Sequence, residues 1–95
     1  MIDRNSRLRL ARQVRLKADP RSGKHLLLFP ERGLELNEIA ARVAALCTEE
    51  TTVAEILDRM AEAAAEGTPR ERIDGEVLEF LRALEVRGLL TVGGV

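Results

Sequence analysis

The stretch LLLFPERGLELNEIA, from Leu26 to Ala40, passes through several kinds of structure within fifteen residues. Its apolar start is typical of a strand. This strand is expected to end at PERG, where proline near the start and glycine near the end favour a turn. A brief apolar alternation at Leu34–Leu36 follows. Asn37 can then cap a helix, and Glu38 suits the positive end of that helix. The stretch therefore predicts a strand, a turn, a short strand and a helix.

An alternating segment precedes this stretch. From Leu8 to Ala18, apolar residues mostly alternate with basic ones, which predicts one half-buried strand. DPRSGK, at 19–24, is rich in turn formers and would join that strand to a second one at His25–Phe29. Residues 1–12 precede the clearest alternation, and we expect them to form a flexible basic arm that folding does not need.

Three helical patterns follow the strands. The first places Ile39, Val43, Leu46 and Cys47 on one face. The second has a capping-box signature at Thr52 and Glu55 and is expected to end at Gly67. The third begins near Pro69 and stops at Gly88, with an apolar stripe of Ile73, Val77, Phe80, Leu81 and Leu84.

This order of elements predicts an α+β, winged-helix-like fold, in which an N-terminal three-stranded antiparallel sheet is followed by three helices. Residues 1–95 are expected to form a single domain. The segment Leu89–Val92 would either pair as a last short strand or cover the core.

Composition limits the function. The longest strongly apolar run, Leu26–Phe29, is far too short to span a membrane, and a single cysteine agrees with a reducing compartment, so we expect a cytoplasmic protein without a membrane partner. Residues 1–24 carry eight basic and two acidic side chains, although the whole chain has a net charge of −1. This basic front could meet nucleic acid or an acidic protein surface, or could simply be a solvated strand face.

The sequence offers no set of catalytic or metal-binding groups. His25 has no second histidine or cysteine near it, and Cys47 is expected to be a buried helix residue. The glycines are scattered and form no phosphate-binding loop. We therefore expect no enzyme activity, no cofactor and no metal site.

Binding is the remaining class of function. The short third strand is expected at the edge of the sheet, where an extended peptide could add as another strand. The third helix would supply the wall of the groove. At about 100° per residue, Leu78 falls outside the core arc, near Asp74, Arg82 and Glu85.

The residues also resemble a known family. LLLFPERGLELNEIAARVAALC, TVAEIL and VLEFLRALEVRGLL are similar to PqqD, the accessory protein of pyrroloquinoline quinone (PQQ) biosynthesis, from about Val14 to Leu90. Recurring features of that family stand at Pro30-Glu31, Leu36-Asn37, Cys47 and Gly88-Leu89. Thr48-Glu49 departs from the Asp-Gly that many members have after the cysteine.

The resemblance implies a peptide-recognition domain without catalysis. It would act as a chaperone that binds the precursor peptide PqqA and presents it to PqqE, a radical S-adenosylmethionine enzyme. The peptide would lie between the third strand and the third helix. The resemblance assigns Gly33, Leu34, Glu35 and Leu36 to the strand side, and the helical periodicity predicts Asp74, Leu78, Leu81, Arg82 and Glu85 for the helix side.

Two alternatives stay open from the sequence. A winged-helix regulator would place helix three in the major groove of DNA, but acidic side chains outnumber basic ones on that helix, so we expect no nucleic-acid partner. An open strand edge would also permit a homodimer.

Overall fold

The computed structural model describes residues 2–30 and 32–93. Within these ranges the chain forms six strands and three helices. The strands are β1 (Arg7–Leu10), β2 (Arg15–Ala18), β3 (His25–Phe29), β4 (Arg32–Leu36), β5 (Thr51–Thr52) and β6 (Leu90–Gly93). The helices are α1 (Glu38–Cys47), α2 (Val53–Ala63) and α3 (Arg70–Val86).

The strands form two antiparallel three-stranded sheets, which we name after their central strands. The β3 sheet has the order β2-β3-β4, and its strands follow one another along the chain. The β1 sheet has the order β5-β1-β6, and it joins segments that are far apart in the sequence. The predicted α+β fold, with an antiparallel sheet ahead of three helices, is confirmed.

The first predicted strand is wrong in one respect, because Leu8–Ala18 is not continuous. The backbone N–H of Val14 donates to the carbonyl of Ala11 at 2.9 Å, and this turn separates β1 from β2. The two strands then belong to different sheets. Leu89–Val92, which the sequence left as either a strand or a cover, overlaps β6 and pairs with β1.

The prediction of a dispensable arm at residues 1–12 is also wrong. β1 lies in the middle of its sheet and is paired on both sides, with Leu10 opposite Leu90 and Leu8 opposite Thr51. The side chain of Leu8 is fully buried. This part of the chain is therefore a component of the core.

Polar side chains set the starts of α1 and α2 as predicted, whereas α3 begins at Arg70, after Pro69, without a side-chain cap. The Oδ1 atom of Asn37 accepts from the backbone N–H of Ala40 at 2.7 Å, and the Oγ1 atom of Thr52 accepts from the N–H of Glu55 at 3.2 Å. α2 ends at Ala63, earlier than the expected stop at Gly67. β4 begins at Arg32, two residues before the predicted Leu34. Glu31, within the predicted turn, lies outside the described residues.

The core lies between the helices and both sheets. α1 packs against β1 and β2 as well as β3 and β4, so it holds the two sheets together. The largest fully buried side chains are Leu8, Leu27, Val43, Cys47, Val53, Ile56, Leu57, Val77, Leu81 and Leu84. Ile39, predicted to face the core, is instead 47% exposed, and Phe80 is only half-buried. Among the described residues, no helix combines the length and the apolar character that crossing a bilayer requires.

Candidate functional site

The outer edge of β4 presents unpaired backbone groups. The carbonyl of Lys24 accepts from the N–H of Asp19 at 2.7 Å, so the polar backbone groups of Lys24 face β2. These groups alternate along a strand, which makes those of His25, Leu27 and Phe29 face β4. Their partners on β4 are Leu36, Leu34 and Arg32, in that order.

Gly33 and Glu35 therefore direct their N–H and C=O groups away from β3. β4 is an outer strand of the β3 sheet, and no described strand pairs with this edge. The sequence could not decide which of the residues at 33–36 face outward, and the strand register decides it. An extended chain could hydrogen-bond to this edge at these two positions.

The side chains of β4 alternate between the core and solvent. Leu36 is buried and Leu34 is half-buried, whereas Gly33 and Glu35 are exposed on the other face. A Cβ atom at Gly33 would lie 3.0 Å from a methyl carbon of Leu28, so glycine leaves room for that leucine on the outer face. The carboxylate of Glu35 lies 3.2 Å from the Nζ atom of Lys24.

Two cavities lie near the two ends of β4. Beside the start of β4, a cavity of about 460 Å³ is lined by residues that include Arg32 and Arg87. Just beyond its end, a cavity of about 420 Å³ lies between the start of α1 and α3, and its lining includes Asn37, Phe80 and Ala83. Both ends of β4 thus lie on the side of the third helical segment that carries Phe80, Ala83 and Arg87, and we call the space between β4 and these residues the β4–α3 groove.

The helical wall of the groove has a regular spacing. Glu76, Phe80 and Ala83 line the second cavity and Arg87 follows at the helix end, so that the four positions fall on one face of α3. Phe80 is half-buried and Ala83 is exposed, which leaves an apolar surface in the middle of the wall. One end of the groove carries arginines and the other carries glutamates.

The helix residues predicted for the site line neither cavity. The carboxylate of Asp74 bonds to Arg70 at 2.8 Å, and the same arginine bonds to Asp58 of α2, so this flank of α3 faces α2. At about 100° per residue, Leu78, Arg82 and Glu85 share the flank of Asp74, opposite Phe80 and Ala83.

Leu78 and Leu81 also differ from the expected groove residues in burial. Leu78 is half-buried against the core, and Leu81 is fully buried within it. The structure thus places Gly33, Leu34, Glu35 and Leu36 on β4, whereas Asp74, Leu78, Leu81, Arg82 and Glu85 line neither of the two cavities. Periodicity gave the core arc of α3, but it carried no information on which flank of the helix lies beside β4.

The groove is suited to binding. Burial raises the pKa of the Cys47 thiol from its ordinary value of 9.0 to about 12, so this side chain stays protonated and inert near neutral pH. Within the part of the chain that the structure describes, no group of three or more histidine, cysteine, aspartate or glutamate side chains could hold a metal ion. The site offers backbone hydrogen bonds, an apolar wall and charged ends.

A family model described as coenzyme PQQ synthesis protein D (PqqD) matches residues 24–90. The chain belongs to the PqqD family. Two curated relatives are each named PqqA binding protein. The relative from Bradyrhizobium diazoefficiens is 37% identical over 90 residues, which cover 95% of this chain and 85% of the relative. The relative from Rhizobium meliloti is 36% identical over 94 residues, which cover 97% of this chain and 92% of the relative.

Two solved structures show the same fold. The solution NMR structure of the PqqD part of Methylobacterium extorquens PqqCD, described as a stand-alone recognition element for ribosomally synthesised and modified peptides, superposes with a TM-score of 0.76. It is 28% identical, and the match covers 96% of this chain and 95% of that one. TbiB1, solved in complex with the TbiA(β) leader peptide, shares the fold at a TM-score of 0.72 and 21% identity. This match covers 86% of this chain and 93% of TbiB1.

Proposed function

We propose that this PqqD-family chain binds the precursor peptide PqqA in the β4–α3 groove and presents it to the radical S-adenosylmethionine enzyme PqqE. The observation that carries the proposal is the open edge of β4, where the backbone groups of Gly33 and Glu35 face outward. The names of the curated relatives support PqqA as the ligand.

Strand addition explains how one groove would hold an extended peptide. Main-chain hydrogen bonds to Gly33 and Glu35 would supply affinity. Every second peptide side chain would then point towards α3, where Phe80 and Ala83 offer an apolar surface. The arginines at one end and the glutamates at the other would favour one direction of the peptide.

The chain itself would perform no chemistry. Its only cysteine is buried and protonated, and His25 lies on β3 without a second histidine or cysteine to act with. The iron–sulfur chemistry would belong to PqqE, and this chain would contribute recognition and positioning of the peptide.

The surface of α3 does not favour DNA binding. Arg70 is paired with Asp58 and Asp74, and Arg72 is paired with Glu76 at 3.6 Å. Arginines that already have carboxylate partners are poorly available to phosphates, and the remaining acidic side chains would repel them. We therefore do not propose a regulator.

Glu35→Pro tests the strand edge. This change removes an outward N–H without removing a bond to β3, so we expect the protein to stay folded and its affinity for PqqA to fall at least tenfold, equal to about 1.4 kcal/mol. Glu35→Ala is the matched control, because it removes the same side chain but keeps the N–H. Titration calorimetry at one salt concentration would measure both. Equal affinity in the two variants would contradict strand addition.

A second pair of variants tests the helical wall. Ala83→Glu and Arg82→Glu place a new carboxylate at adjacent exposed positions, but only position 83 lines the groove. We expect Ala83→Glu to weaken PqqA binding about tenfold or more and Arg82→Glu to change it less than about threefold. The reverse order would move the site to the flank of α3 that faces α2.

A further inference from the structure

A second concave surface lies on the opposite side of the β3 sheet from the β4–α3 groove. It is a cavity of about 850 Å³ between β1 and β2, beside the end of α1. Arg9, Arg12 and Arg15 line it together with apolar residues that include Leu10 and Leu16. We call it the arginine cleft. No acidic residue is among the residues that line it.

The arginines of this cleft lack ionic partners among the described residues. Five other basic residues have one in the described ranges, including Lys24 with Glu35 and Arg59 with Glu49. No ion pair within the described ranges involves Arg9, Arg12 or Arg15, and all three are exposed. This concentrated positive charge is therefore available to a partner.

The cleft and the groove can be occupied at the same time. β2 and β4 are the two outer strands of the β3 sheet, and β3 separates them. Neighbouring strands are about 4.8 Å apart, so the two edges lie about 10 Å from each other on opposite sides. A partner in the arginine cleft would leave the β4 edge free for a peptide.

We propose that the arginine cleft docks a carboxylate-rich surface of the enzyme that receives the peptide. This inference rests on the proposed function. The planar guanidinium group matches a carboxylate with two parallel hydrogen bonds, and three such groups around an apolar floor resemble the composition of protein interfaces. A complementary acidic surface would also accelerate the encounter of the two proteins.

Two other occupants fit the cleft less well. Duplex DNA would need an extended basic surface, but Glu49 and Glu50 directly follow the end of α1 that borders the cleft. A second copy of the chain would have to supply carboxylates, and several of these are already engaged in its own ion pairs, namely Glu38, Glu49, Asp58, Asp74 and Glu76.

Charge reversal with a matched control tests the proposal. The cleft variant is Arg9→Glu with Arg15→Glu, and the control variant is Arg21→Glu with Arg82→Glu. Both change the net charge equally, and all four positions are exposed. Each protein is measured against purified PqqE by biolayer interferometry at one salt concentration, and separately against PqqA. We expect the cleft variant to bind PqqE at least tenfold more weakly, the control within threefold, and both to keep the parent's affinity for PqqA.

The other possible results distinguish a failure of the docking surface from a failure of the proposed function. If the parent binds PqqA and both variants bind PqqE equally well, or if the parent does not bind PqqE, the docking surface is wrong and the peptide site stands. If the parent does not bind PqqA, the proposed function itself fails. Cleft-dependent binding of a 20-base-pair DNA duplex, or a dimer that only the cleft variant disrupts, would assign the cleft to another occupant. If the double reversal fails to fold, Arg12→Glu, in the turn between β1 and β2, takes its place.

Discussion

The two sheets of this protein differ in how they are assembled. The β3 sheet consists of consecutive strands joined by tight turns, and both of its outer strands have an open edge. The β1 sheet gathers segments near residues 7, 51 and 90, and its central strand is paired on both sides. The distant segments close the fold in the β1 sheet, whereas the local hairpins of the β3 sheet leave edges exposed. We therefore expect stability and recognition to depend on different sheets.

The largest expected effect is in the β1 sheet. Leu8→Ala removes a fully buried side chain from the central strand and should lower the free energy of unfolding by about 2–5 kcal/mol. Leu26→Ala, on the outer face of the β3 sheet, is the control and should cost less than about 1 kcal/mol. Urea denaturation would measure both. Similar values for the two variants would remove the distinction between the sheets.

The next largest effect separates the two backbone directions of β4. Leu34→Pro removes an N–H that faces β3 and leaves the carbonyl of Leu27 without its partner, so we expect a loss of about 2 kcal/mol or more in the free energy of unfolding. Glu35→Pro should cost clearly less, because its N–H faces outward. Thermal unfolding followed by circular dichroism would rank them. The opposite ranking would reverse the assignment of the outward residues.

Cys47 reports on the helix that holds the two sheets together. Its pKa is about 12 when folded and about 9.0 when unfolded, so between these pH values the unfolded state loses a proton that the folded state keeps. Stability should therefore fall as the pH rises, by about 1 kcal/mol between pH 8 and pH 10. Cys47→Ala should lack this part of the pH dependence. Urea denaturation of both proteins at the two pH values gives the difference, and parallel curves would contradict a protonated, buried thiol.

The smallest effect concerns the ion pair between Lys24 and Glu35 on the β3 sheet. Both side chains are about 60% exposed, so solvent screens the attraction. We expect Lys24→Ala to change the free energy of unfolding by less than about 0.5 kcal/mol in 0.15 M salt. Arg21→Ala, in the neighbouring turn, is the control. A loss above 1 kcal/mol in urea denaturation would show that the pair stabilises the β4 edge.

Local signals predicted the β3 sheet and the helix starts. The turn formers at 19–24 and the capping side chains of Asn37 and Thr52 act within a few residues, so the sequence carries them directly. The strand β1 was misread because Leu10 and Val14 keep the same parity across the turn that separates the sheets. Alternation alone cannot reveal a turn that preserves it.

Tertiary geometry determined what the sequence could not predict. The outward position of Glu35 follows from the register of β4 against β3, and the cavity that Phe80 and Ala83 line follows from the packing of α1 against α3. Both depend on contacts between separate elements. Side-chain periodicity within one element carries no such information. It favoured Leu78 for a single reason, namely that this residue lies outside the core arc.

The pairing of Leu10 with Leu90 has a consequence for synthesis of the protein. Roughly eighty residues separate these partners, and a ribosome adds about 5–20 residues per second, so β1 waits roughly 4 to 16 seconds for its partner β6. The β3 sheet and α1 can form during that time, because their contacts are local. Leu8 stays without its final neighbours until the last strand emerges. The nascent chain therefore exposes the leucine face of β1, which is covered in the finished fold, and the chain is most prone to aggregation during this interval.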